Sequence, residues 1–212
     1  VIGMDANLAV NLDLGLIGNG KSFLAATGAA RTYSGLGLGV GADGIYRLGG
    51  GGQTLTLDAA GTAGVLVDRG SAARLLVGSQ AGNAAGTVLL NDLNTYTGGT
   101  IVSRSNALQI QQGATSATIA ALGTGQVDVF GSLTAQAATG SFLNSTGTGN
   151  QNVIVLHPGS VLKFDNGTAN YNRWADGVSI DLNGASLQIT SPGSAPLVTN
   201  VETVGAITYE KG

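Results

Sequence analysis

Three groups of residues in this 212-residue chain have types and spacings that could carry chemistry. The first, Gly15-Leu16-Ile17-Gly18-Asn19-Gly20-Lys21-Ser22, matches the phosphate-binding loop formula position by position. In such a loop a strand feeds a glycine-rich turn. Its amides face phosphate at a helix N-terminus, and the lysine reaches the β and γ oxygens. The second, Gly39-Val40-Gly41-Ala42-Asp43-Gly44-Ile45, has the spacing of a calcium-binding nonapeptide, which holds each ion between successive turns. The third is the dense mixed cluster of His157, Asp165, Tyr171, Arg173, Trp174 and Asp176. Aromatic rings with two carboxylates suit a sugar-cleaving or sugar-binding groove, in which Asp165 and Asp176 would be acid and base.

The elements around these residues argue against each chemistry. Only Phe23 to Thr27 separate Ser22 from Gly28, so no helix follows the glycine-rich turn, and no strand–helix alternation follows it either. Lys21 and Ser22 are therefore expected on a solvated loop between two coils. The nonapeptide occurs once, whereas calcium sites of this kind need tandem copies, so it reads as a plain turn. His157 precedes the turn signal Pro158-Gly159 and is expected in a loop, since metal sites need several partners. Arg173 is expected to brace a turn through Asp176 or carbonyl oxygens, and Trp174 to cap an apolar edge. The sequence thus assigns no catalytic, cofactor-binding or metal-ligating residue, and no enzyme activity. Asn144-Ser145-Thr146 and Asn166-Gly167-Thr168 fit the N-glycosylation formula, which means little in a bacterial or viral product.

The elements themselves repeat. Small turn residues are followed by an apolar pair spaced by two: Thr54-Leu55-Thr56-Leu57, Gly64-Val65-Leu66-Val67, Arg74-Leu75-Leu76-Val77, Thr87-Val88-Leu89-Leu90, Ala107-Leu108-Gln109-Ile110, Gln126-Val127-Asp128-Val129, Val161-Leu162-Lys163-Phe164 and Ser186-Leu187-Gln188-Ile189. Period-two alternation turns Leu55 and Leu57 inward, as it does Val127 and Val129, Leu162 and Phe164, Val178, Ile180 and Leu182, and Leu187 and Ile189. Asp128, Lys163, Ser179, Asp181 and Gln188 face outward. The spacing suggests coils of roughly 20 to 25 residues, with eight or nine making a rod on the order of 40 Å long. Arg31-Thr32-Tyr33-Ser34-Gly35 echoes Asn94-Thr95-Tyr96-Thr97-Gly98, as an internal repeat about three coils apart would.

Composition supports a packed β chain. Glycine supplies 36 residues, well above the usual ~7%, and serves the turns. Charged residues are 10%, against a usual ~25%, while hydrophobic residues are 43%. A net charge of −3 with scattered Lys and Arg disfavours nucleic-acid partners. Cysteine is absent. No apolar run approaches ~20 residues, and Val1 to Gly20 lacks a signal-peptide pattern, so no membrane insertion by this segment is expected. The chain reads as a mature product or an excised piece of something longer.

The words Asn94-Thr95-Tyr96-Thr97-Gly98-Gly99-Thr100 and Leu122-Gly123-Thr124-Gly125, each followed by an apolar strand, resemble the passenger-associated repeat of bacterial autotransporters. Segments near Tyr46 to Leu57, Asn172 to Asp176 with Asp181 to Leu187, and Glu202 to Ile207 are similar to the flanks of such repeats. The resemblance implies an all-β, right-handed parallel β-helix, displayed on or released from the cell surface. It also implies avoidance of disulfides that would obstruct export. The expected organisation is one β-helical segment over 1–212: opening coils or a cap in 1–44, repeat coils in 45–137, a protruding loop in 138–151 and further coils in 152–212. The expected function is an extracellular structural or adhesive rod. Its partner would be a protein or glycan surface ligand, or further copies through the solenoid ends or sides. A virion fibre, decoration protein or filament subunit is the alternative, and a polysaccharide-active enzyme using Asp165 and Asp176 a third.

Overall fold

The structure is a computed structural model. It describes residues 1–59, 64–113, 115, 119–137, 139–147, 149–167, 172–190 and 202–209. Tyr171 and Thr168 lie outside the described residues, as do positions 138 and 148 of the 138–151 segment.

Alternation of apolar and polar residues gives strands of two to five residues, with glycine-rich turns between them. The strands stack in parallel into two seven-stranded sheets. The first holds Ile2–Met4, Leu24–Ala26, Ile45–Leu48, Arg74–Val77, Thr100–Val102, Val127–Val129 and Ile154–Leu156. The second holds Arg31–Tyr33, Thr54–Leu57, Thr87–Leu90, Ala107–Ile110, Ser132–Ala135, Val161–Asp165 and Ser186–Thr190. The chain alternates between the sheets, so each passage is one turn of a parallel β-solenoid of about seven turns. Two short parallel pairs complete it, Leu12–Asp13 with Leu38–Gly39 and Ile180–Asp181 with Ile207–Thr208.

Coil length is less uniform than the sequence spacing suggests. One coil carries Thr87 to its partner Ala107, whereas the coil from Thr54 to its partner Thr87 is more than half as long again. Strands must keep register to form the ladder, whereas connecting turns can grow at small entropic cost. Longer coils mean fewer coils: seven rungs rather than eight or nine, spanning about 30 Å at strand spacing.

Inward residues form continuous ladders. Leu55, Val88, Leu108, Leu133 and Leu162 stack in one column, and Leu57, Leu90, Ile110, Ala135 and Phe164 in the next, all buried. Each such aliphatic side chain contributes roughly 1.5–3 kcal/mol by leaving water. The expected inward set holds with one correction. Ile189 pairs with Phe164 yet is 53% exposed, and among the described residues its strand Ser186–Thr190 is paired on one side only.

The echo between Tyr33 and Tyr96 is not a structural repeat. Tyr33 lies in a strand of the second sheet, whereas Tyr96 lies in the turn that leads into a strand of the first. Likewise Val65 and Leu66 are buried from a turn, not a strand. Burial needs only proximity to the core, and turn residues supply it here as well as strands do.

Candidate functional site

The family-like words are packing devices. Asn94, fully buried, accepts from Leu66 N (3.0 Å) in the preceding coil and donates to Ala121 O (2.8 Å) in the following one. Tyr96 and Thr100 share a hydrogen bond of 2.5 Å in the interior, which satisfies the one hydroxyl that the strand Thr100–Val102 turns inward. Gly99 has φ +86°, and a Cβ there would meet Gln126 O at 2.6 Å. Thr97 is held by Asp68, and Asn152 donates to Gly125 O (2.8 Å). Buried polar groups require partners, and for Asn94 and Asn152 the partners are turns of adjacent coils.

The Arg173 cluster is another such device. Its guanidinium is buried and donates to Asn166 Oδ1 (2.6 Å), Ala137 O (2.9 Å), Asp165 O (2.5 Å) and Gly140 O. The expected brace on carbonyl oxygens is present, with Asn166 rather than Asp176 as its side-chain partner. Asp176 is exposed. Glu202 accepts from Arg173 N (2.9 Å) and Trp174 N (2.7 Å), and its carboxyl pKa is raised by burial. Trp174 does not merely cap an edge. It sits in the core, 5.9 Å from Phe142 and 6.0 Å from Phe164. Phe142, within the segment expected to protrude, is buried, while Ser145, Thr146 and Gly147 form its exposed tip.

Asp165 is held by Lys163 Nζ (2.9 Å) and Thr190 Oγ1 (2.9 Å). The Lys163 hydrogen bond in particular holds its pKa below the usual carboxylate range. A general acid needs the opposite shift.

Lys21 is exposed and follows a 3-10 turn over Gly18–Gly20, and the chain then enters the strand Leu24–Ala26 rather than a helix. Asp43 is bound by Arg47 Nη1 (2.8 Å) and Nη2 (2.6 Å), and this hydrogen bonding lowers its pKa. No group of three or more metal-ligating side chains occurs among the described residues.

Outside these packing devices lie the outer walls. The second sheet turns out Thr54, Thr56, Thr87, Gln109, Ser132 and Lys163, with Leu89, Ala107 and Val161 among them. The first sheet turns out a more varied set. Leu76, Ile101, Asp128 and Val155 stand in register down its centre. Arg74 and Gln126 lie to one side, and Phe130 and His157 to the other. The Phe130 and His157 rings stack at 3.8 Å and 11°. His157 Nε2 lies 3.2 Å from Asp128 Oδ1, and Gln126 Nε2 donates to both oxygens of Asp128 (3.0 and 3.1 Å). His157 stands in the loop just past the strand Ile154–Leu156, as expected before Pro158-Gly159, and its ring packs against this wall. Sequence reading missed this wall because its members lie a whole coil apart along the chain and meet only through the coil register. Comparison with protein families, curated proteins and solved structures found no match to this chain.

Proposed function

We propose that the chain is a length of extracellular β-solenoid rod, structural or adhesive, resembling an autotransporter passenger displayed on or released from a bacterial surface. It acts through its outer walls and not by catalysis. The observation that carries this reading is the use of the buried polar side chains: Asn94, Asn152 and Arg173 are committed to backbone of neighbouring coils. A fold that commits its polar interior to stacking has only its exterior for recognition. No described helix is long and apolar enough to cross a membrane. The test is adhesion of bacteria displaying the full parent chain with and without residues 1–212. Reduced adhesion or surface coverage on deletion supports the reading, and unchanged display and adhesion contradict it.

A second reading, a virion fibre or filament subunit, draws on exposed Ile189, Ile207 and Tyr209 at the last described rungs. Unpaired strand edges beside apolar side chains invite association. Sedimentation separates the two: a monomer favours the rod segment, a closed trimer or polymer the subunit.

A further inference from the structure

We propose that a slot on the first sheet's outer wall, between Arg74 and the Gln126–Asp128 pair, binds a uronic-acid polysaccharide. This deepens the adhesive-rod reading and rests on it. Gly98 and Gly99 leave the rung between Arg74 and Gln126 without a side chain, and close coil contact prevents one there: a Cβ on Gly98 would meet Ala73 O at 2.5 Å. The result is a cleft of about 230 Å³ with Ile101 and Thr100 in its lining.

Arg74 is the cation of the cleft, placed for the carboxylate of an acidic sugar, and Asp128 is its anion, placed for sugar hydroxyls. Arg74 is exposed and uses Nε to donate to Gly98 O (3.1 Å), which holds the guanidinium at the cleft; its two Nη groups have no hydrogen bond or ion pair among the described residues. The neighbouring arginine on this wall, Arg47, is already bidentate on Asp43. A guanidinium fork fits a carboxylate in two parallel hydrogen bonds. Across the cleft, Asp128 accepts from Gln126 and lies beside His157, and a carboxylate has lone pairs left for sugar hydroxyls. His157 stacks on one face of the Phe130 ring, next to Asp128. Ile101, in the lining of the cleft, supplies apolar surface for the C–H face of a pyranose. The three rungs span roughly 10 Å, the reach of about two sugar units. Both neighbours of each strand here are already paired, so an extended peptide cannot add as a further strand.

The test is calorimetric titration of the chain with tetragalacturonate and with its methyl ester. Saturable binding of the acid, absent for the ester, is expected. Arg74→Gln should weaken it about tenfold or more, Arg74→Lys should restore part, and Lys163→Gln on the other wall should change nothing. No binding of the acid, equal binding of the ester, or equal weakening by Lys163→Gln overturns the proposal. If cells displaying Arg74→Gln adhere as before and the oligomer is inert, the slot fails while the adhesive rod stands. If deletion of the whole segment leaves adhesion unchanged, the rod reading fails with it.

Discussion

Asp68 holds Thr97 of the next coil twice: its Oδ1 accepts the Thr97 backbone N–H at 3.0 Å, and its Oδ2 accepts the Thr97 hydroxyl at 2.8 Å. Oδ1 also accepts Ala73 N at 2.7 Å. One carboxylate therefore fixes the start of its own strand and the turn that launches the strand above it. Similar side-chain stitches recur along the rod, and they set where substitutions should hurt.

Asn94→Ala should be among the most damaging single changes. It leaves Leu66 N and Ala121 O unpaired inside the protein. Each unsatisfied buried group costs about 1–3 kcal/mol, so a loss of roughly 3 kcal/mol is expected. Chemical denaturation of the variant beside the parent measures it. A loss below about 1 kcal/mol would mean that water replaces the stitch.

Gly99→Ala and Gly82→Ala separate two roles of glycine. Both residues have positive φ, but only at Gly99 would a Cβ strike backbone, at Gln126 O; Gly82 has open space around it. Gly82→Ala should cost about 1 kcal/mol for the conformation alone. Gly99→Ala should cost clearly more, since a rung must shift. Equal midpoints in denaturant would remove the close-approach argument.

Alkaline pH should unfold the rod by way of its tyrosines. Tyr33, Tyr46 and Tyr96 all have their phenol pKa values raised, chiefly by burial. A phenol with a raised folded pKa favours the folded state below its unfolded value, near 10, and loses that contribution as pH climbs through the folded value. Stability should fall steeply above about pH 10. Ultraviolet titration should show these phenols ionising together with loss of β structure. Ionisation in an intact fold near pH 10 would contradict the buried assignment.

How far the sequence could be read follows from which contacts are local. The outward turn of Lys163 between Leu162 and Phe164 is a two-residue fact, and alternation reveals it. The brace at Arg173 was legible as chemistry, because a lone arginine among turn residues needs oxygen partners. Its partners were not, since Gly140 and Ala137 lie more than a coil earlier in the chain. The wall joining Ile101, Asp128 and Val155 depends on coil lengths, and these vary with turns that leave no period in the sequence. Phe142 sat in a Gly, Ser and Thr stretch whose composition outweighed a single ring, yet that ring completes the aromatic core with Phe164 and Trp174.

Arg173→Met should act locally. The change strands carbonyls at Ala137, Gly140 and Asp165, at a cost of roughly 3 kcal/mol or more. In a solenoid each coil leans only on its neighbours, so the damage should stay near the affected coils. Hydrogen exchange should rise in Ser132–Ala135, Val161–Asp165 and Ser186–Thr190 and stay low in Thr54–Leu57. A uniform rise along the rod would show one cooperative unit instead.

The stacking itself can be tested by crosslinking, because the chain has no cysteine of its own. Leu76 and Ile101 are register partners on one outer wall, and Thr56 and Leu89 are partners on the other. Neighbouring strands bring such Cα atoms to about 4.8 Å, within disulfide range. Paired cysteines at 76 and 101, and at 56 and 89, should oxidise to intramolecular disulfides in the folded protein, while a pair at 76 and 89 should not. Ready closure of the 76–89 pair, or failure of both partner pairs, would contradict a chain wound as parallel coils.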